Sequence, residues 1–215
     1  MRFLLLFLLM GCTGAFAATI HDTLYINSGT ATMYDGTTFP FKAYNSSDQF
    51  DQQNKLVTLN AGDDLELVII NNDSEPHGFS ISNTSITPLV IAPSDTGSVS
   101  HFFPDQALHV YYDQLDQPNN TYMGLGGMIA ILGTSDSEYY WDLKTHDSTY
   151  SAELGQGNSV DWTSYYPEHF TINGKSFPET TADTLTSIQG SIGEVMHIYI
   201  ANPGQIGRAS CRERV

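Results

Sequence analysis

From residue 56 to residue 81 the chain runs LVTLNAGDDLELVIINNDSEPHGFSI, and its hydrophobic positions recur every second residue. Leu65, Leu67 and Ile69 alternate with Asp64, Glu66 and Val68, the pattern of a strand with one buried face. The segment Asn71-Asn72-Asp73-Ser74-Glu75-Pro76 is turn chemistry, and Pro76 biases Glu75 towards an extended backbone. His77 stands at the mouth of the strand that follows. The same reading predicts strands at 23–27, 38–44, 55–59, 64–70, 79–82, 97–103, 108–112 and 128–132. A polar stretch at 134–137 reads as a linker, and further strands are predicted at 138–144, 169–173 and 195–201. No helical period of 3.6 is sustained anywhere after residue 18. Short strands separated by Gly, Asn, Asp, Pro and Ser clusters predict an all-β, Greek-key sandwich over residues 18–133 and part of a second over 138–205. The loop at 46–54, SSDQFDQQN, is predicted to be exposed and without chemistry.

An internal repeat supports two units. Residues 62–71, GDDLELVIIN, align without gaps on residues 193–202, GEVMHIYIAN. Gly62 meets Gly193, Asp63 meets Glu194 and Asn71 meets Asn202; Leu65, Leu67 and Ile69 meet Met196, Ile198 and Ile200. The second set is therefore expected to point inward, with His197 outward. The counterpart of His77 would fall near residue 208.

Both ends call for separate treatment. Met1-Arg2, the apolar run 3–10 and Ala15-Phe16-Ala17 form a bacterial-type signal peptide over residues 1–17, so the protein is expected to be periplasmic or secreted. The run is too short to span a bilayer; a rival reading has Cys12 retained and lipidated, the one route to a membrane. Residues 206–215, IGRASCRERV, are the in-frame translation of a sequencing adapter, and we read them as an artefact tail. The arginines agree with this: Arg2, Arg208, Arg212 and Arg214 all lie outside 18–205. On this reading the natural chain continues past residue 205.

Residues 18–205 hold four lysines against 23 carboxylates, a formal charge of −19. Such a surface excludes nucleic acid and anionic membranes as partners. The same stretch has no cysteine, so it can form neither a disulfide nor a thiolate–metal bond. It also lacks G-x-S-x-G, H-E-x-x-H, a phosphate-binding loop and paired-carboxylate motifs, which leaves hydrolase and nucleotide chemistry without support.

Three segments resemble the multicopper oxidase and copper nitrite reductase family, which is built from cupredoxin domains. They are the A-G-D turn with Pro76-His77-Gly78-Phe79-Ser80-Ile81, the stretch ALHVYYDQLDQPNNTYMGLGGMIAIL at 107–132, and YPEHFTINGKSF at 166–177. The resemblance implies a copper-dependent oxidoreductase and places His77 at a histidine-ligand position. A type 1 copper needs two imidazoles and a thiolate. Here the cysteine position after Tyr111-Tyr112 is Asp113, the second histidine position is Asp116 or Asn120, and the axial position is Leu125. The trinuclear pattern of two H-x-H pairs retains one histidine, since the pairs read His77-Gly-Phe79 and Asp113-Gln-Leu115. His77 is thus a vestigial ligand position, expected to be a hydrogen-bonded histidine at a strand end. The alternative is a weak hard-metal site with Asp113, Asp116 and Asn120, although D-x-x-D in a polar loop is commonly a solvated turn. His101 and His109 are expected to be core or face residues; His21, His146 and His169 have no clustered partner in sequence. The expectation is a copper-free, structural first domain, with copper and electron transfer in later cupredoxin domains of the same chain as its partners. Self-association into a homo-oligomer stays open. The rival expectation is a non-catalytic secreted binding or adhesion protein that reuses the sandwich.

Overall fold

The computed structural model describes residues 17–133 and 137–203. Residues 1–16 of the expected signal peptide, with Cys12, the linker residues 134–136, the tail at 206–215 with Cys211 and the expected histidine counterpart near 208 lie outside the described residues. Twelve strands are present among these: β1 (Thr19–Thr32), β2 (Thr38–Asn45), β3 (Val57–Asn60), β4 (Asp63–Asn71), β5 (His77–Ile81), β6 (Leu89–Ile91), β7 (Thr96–Phe103), β8 (Ala107–Tyr112), β9 (Gly126–Leu132), β10 (Ser137–His146), β11 (His169–Ile172) and β12 (Met196–Ala201). Helices are short: α1 (Asn119–Tyr122), α2 (Ser148–Gly155) and α3 (Glu179–Ala182).

Strands β1 to β9 form two sheets in the orders β2-β1-β4-β7 and β3-β9-β8-β5-β6. The alternation in β4 does what the sequence demands: Leu65, Leu67 and Ile69 are fully buried, while Glu66 faces solvent. They meet Leu24 and Ile26 of β1, Phe79 of β5 and Ile129 and Ile131 of β9 in one core between the sheets. Each such aliphatic side chain contributes about 1.5–3 kcal/mol through burial. Tyr44, Phe79 and Tyr111 pack as an aromatic trio with centroids 5.3–5.7 Å apart. The Tyr44 hydroxyl donates to the Gly78 carbonyl at 2.6 Å, which ties this trio to the backbone beside His77.

The remaining strands form a third sheet in the order β11-β10-β12. Its wiring copies part of the first. β4 lies parallel to β1, and β2 antiparallel to it; β12 lies parallel to β10, and β11 antiparallel to it. Gly62 and Gly193, aligned by the repeat, both adopt a left-handed backbone, with φ of +93° and +89°. That conformation favours glycine at the turn into each strand.

Burial in β12 departs from expectation. Met196 and Ile198 are 38% and 43% exposed, whereas Tyr199 and Ala201 are buried. His197 does leave the apolar face, as the alternation requires, but it meets Gln106 of the first unit rather than open solvent. The reason is that the polar face of this sheet docks on the first sandwich, and no second sheet covers its apolar face among the described residues. Docking is specific. The Lys144 ammonium donates to the Gly126 carbonyl, Gln106 donates to the Tyr199 hydroxyl at 3.0 Å, and the Tyr122 hydroxyl donates to the Asp147 carbonyl at 2.8 Å.

Other departures are local. β1 is longer than predicted, and its far end with β2 forms a second apolar cluster of Ala31, Met33, Phe39 and Phe41. His146, without a partner in sequence, is buried against Phe39 and Phe41. Helix α2 was not expected; Asp147 caps it by accepting from the Thr149 and Tyr150 amides. The loop at 46–54 is not wholly exposed, since Asn54 is buried, accepts from the Tyr44 amide and donates to the Gly124 carbonyl.

Candidate functional site

The pole of the first sandwich at the start of β5 carries the candidate site. Asn71 ends β4 and shapes the loop that follows. Its side chain is fully buried and donates to the carbonyls of Glu75, Ile91 and Ala92, while its Oδ1 accepts from the Asp73 amide at 2.9 Å. An asparagine that closes a turn on its own backbone two residues later is a standard loop former. The loop thereby fixes Asp73, Glu75 and His77 on one side.

His77 is completely buried and is gripped from both ends. Nδ1 lies 2.8 Å from Asp113 Oδ2, and Nε2 lies 2.7 Å from Asp73 Oδ2. Asp113, at the end of β8, is equally buried. Its Oδ1 accepts from the Gly78 and Leu115 amides, each at 2.8 Å, and its Oδ2 also accepts from Asn120 at 2.8 Å. Gly78 is required by this contact, because a Cβ there would lie 2.6 Å from Asp113 Oδ1. Lys42 closes the outer side: its ammonium is 2.9 Å from Asp73 and 2.6 Å from Glu75.

Two ring nitrogens facing two carboxylates both act as donors, which requires the imidazolium form. Burial alone would lower the His77 pKa, but the hydrogen bonds to Asp113 and Asp73 outweigh it and raise the pKa above the ordinary histidine value. Burial likewise works to raise the Asp73 carboxyl, yet hydrogen bonds from His77, Ser28 and Lys42 hold it far below the usual carboxylate range. Lys42 follows the same logic: desolvation would lower its pKa, and its bonds to Glu75 and Asp73 raise it. The site is a compact, charge-alternating cluster.

Copper does not match this donor set. A type 1 centre needs a thiolate, and residues 18–205 contain none. Both His77 nitrogens are committed to carboxylates, and Leu125, at the axial position, is fully buried in the apolar core. These residues do not fit the group. Donor atoms of Asp73, Glu75 and His77 do lie within 4.8 Å of one another, as a hard cation would need. The Lys42 ammonium already bridges two of those three groups.

Of the residues named from sequence, His77, Asp113 and Asn120 are brought together. Asp116 is not; it accepts from Asn119 at 3.1–3.2 Å instead. Nor is Asp113 the member of a solvated turn that its sequence suggested. Asp73, Glu75 and Lys42 belong to the cluster and were missed. The spacing of Asp73 and His77, four apart across a proline-bearing loop, was the only local signal for them. His101 and His109 flank Phe103, at 4.7 and 5.0 Å between ring centroids, as face residues. His21 pairs with Glu66 on the surface.

Together, the nine-stranded first unit and the partial copy of its wiring define a cupredoxin-like β-sandwich fold. Solved structures agree. The chain is similar to a copper nitrite reductase from Nitrosomonas europaea, with 18% identity and a TM-score of 0.65 over 86% of this chain and 68% of that one. It is similar to a blue copper oxidase from the same organism, with 19% identity and a TM-score of 0.69 over 87% and 61%. A laccase from Botrytis aclada matches at 16% identity and a TM-score of 0.64, over 88% of this chain and 39% of that one. The chain thus spans about two fifths to two thirds of the length of these proteins. The resemblance to multicopper oxidases and copper nitrite reductases therefore extends to three-dimensional structure. No protein-family model matches the chain, and no curated protein matches it in sequence.

Proposed function

We propose that this is an exported protein of multicopper-oxidase type whose first sandwich serves as a copper-free scaffold. Copper and electron transfer from a reducing substrate belong, on this reading, to further cupredoxin domains of the same chain. The observation that carries the proposal is the His77–Asp113 pair. A carboxylate stands where the family has its thiolate, and it holds the imidazole in its protonated form, which has no lone pair to offer a metal. A protein-internal ion pair therefore takes over the cross-link between β5 and the end of β8 that a metal would make.

Two further features support the scaffold role. The polar face of the β11-β10-β12 sheet is buried on the first sandwich, so that sandwich already acts as a docking platform. Tyr139, Trp141, Ile198 and Ile200 share the opposite, apolar face, which suits the inside of a second sandwich. The test is the natural gene sequence downstream of residue 205. It is expected to encode the remaining strands of the second sandwich, and a cysteine with flanking histidines or His-x-His pairs beyond them. A downstream sequence with neither ligand pattern would sink the oxidase reading and favour a non-catalytic binding protein.

A further inference from the structure

A cavity of about 180 Å³ lies where the first sandwich meets the third sheet, away from the His77 cluster. Leu56, Met128, Tyr140, Asn173 and Leu185 line it together with Asp142 of β10. An apolar cavity of roughly this size holds a benzene ring. The wall is mostly apolar, but one polar group in it is unfinished. The Asp142 side chain is nine-tenths buried, with Oδ2 lying 3.1 Å from the Lys144 ammonium. Oδ1 is buried with no hydrogen-bond partner among the described residues.

An orphaned buried acceptor is costly, and native structures rarely keep one without a partner. Burial pushes the Asp142 carboxyl above the ordinary aspartate range, and the Lys144 ammonium beside it works against that. What Oδ1 lacks is a hydrogen-bond donor rather than a second cation. The two asparagines of the rim are satisfied internally. Asn173 accepts from the Asp142 amide at 2.9 Å and donates to the Tyr140 carbonyl at 2.8 Å, and Asn54 is fully engaged with Tyr44 and Gly124. One free acceptor at the edge of an apolar space sets the ligand chemistry.

We infer that this cavity is a binding site for a neutral, mainly apolar molecule of single-ring size carrying one hydroxyl or N–H donor, which Asp142 Oδ1 accepts. Leu185, 55% exposed, sits at its mouth. The site is independent of the copper question, since it involves none of the residues around His77.

The test uses the full chain carrying ¹³C-methyl methionine, titrated with benzyl alcohol and with toluene, which has the same ring without the hydroxyl. Benzyl alcohol is expected to shift the Met128 methyl saturably, leaving Met33 and Met123 unmoved. Toluene should bind at least about tenfold more weakly, the lower end of what a hydrogen bond to a charged acceptor is worth. Leu185→Trp, a change at an exposed position that blocks the mouth, should abolish the shift without loss of folding. Absence of a saturable Met128 shift would overturn the proposal, leaving the space to water. So would equal affinity for the two probes, or an undiminished shift in Leu185→Trp.

Discussion

His77 and Asp113 face each other at 2.8 Å across the gap between β5 and the end of β8, and both side chains are wholly excluded from solvent. Removing Asp113 leaves the buried His77 with Asp73 as its one remaining partner and orphans the Gly78 and Leu115 amides. Taking one member out of a buried pair costs about 3–5 kcal/mol. Asp113→Ala is therefore expected to lower the unfolding free energy by about that much, measured by urea denaturation. A loss below about 1 kcal/mol would mean that the pair contributes no more than a surface contact.

The pH dependence has a definite sign. The folded His77 pKa lies above the unfolded value of about 6.5. Its stabilising contribution is therefore complete below about pH 6.5 and is lost as pH rises through the folded pKa. Asp73 behaves oppositely: its folded pKa is depressed, so its contribution is present above about pH 4 and fades as pH falls further. The stability difference between the native chain and His77→Gln should be largest near pH 5–6 and shrink towards pH 9. An NMR titration of the His77 ring should give a pKa above the ordinary histidine value.

Gly78→Ala probes the same contact from the backbone side. Its new Cβ would fall 2.6 Å from Asp113 Oδ1 and 2.5 Å from Gln114 Oε1. The carboxylate must shift, at a cost of about 1–3 kcal/mol typical of overpacking. The His77 pKa should drop at the same time, which separates this effect from a general loss of stability.

Gly174→Ala tests the docking of the third sheet. Asn173 and Gly174 both have positive φ, +52° and +75°, and close a two-residue turn between Ile172 and Lys175. A Cβ at Gly174 would lie 2.9 Å from the Gln52 carbonyl of the first unit. The left-handed strain alone is about 1–2 kcal/mol. Hydrogen exchange should lose protection in β10 and β11 before it does so in β4 and β9.

How much of this was readable in the chain depended on the range of each signal. β4 was legible because its alternation and its Gly-Asp turn lie within ten consecutive residues. The 166–177 segment was legible through its family resemblance, but its strand was read one residue too far: β11 ends at Ile172, and Asn173, with Gly174, turns the chain at positive φ. Helix α2 was not, because it buries only Ser151 and so carries no apolar stripe; the Asp147 cap was its one clue. Asp113 was misread as half of a solvated turn because nothing in Tyr-Tyr-Asp-Gln-Leu announces burial. Its partners, the Gly78 amide and His77, lie about 35 residues earlier in the chain. Lys42 reaches Asp73 from β2, a contact fixed by sheet order rather than by any local pattern. The alternation of β12 was read correctly, but which face is covered was not: Met196 and Ile198, expected inward, are exposed, and His197, expected outward, faces Gln106 of the first unit.

The central claim is that Asp113 has replaced copper at the pole of the first sandwich. Its most direct test is to load the full chain with Cu²⁺, dialyse it, and measure bound metal and the visible spectrum. The account predicts no stoichiometric copper and no blue band. One copper per chain with an intense blue absorption, lost in His77→Gln, would contradict it.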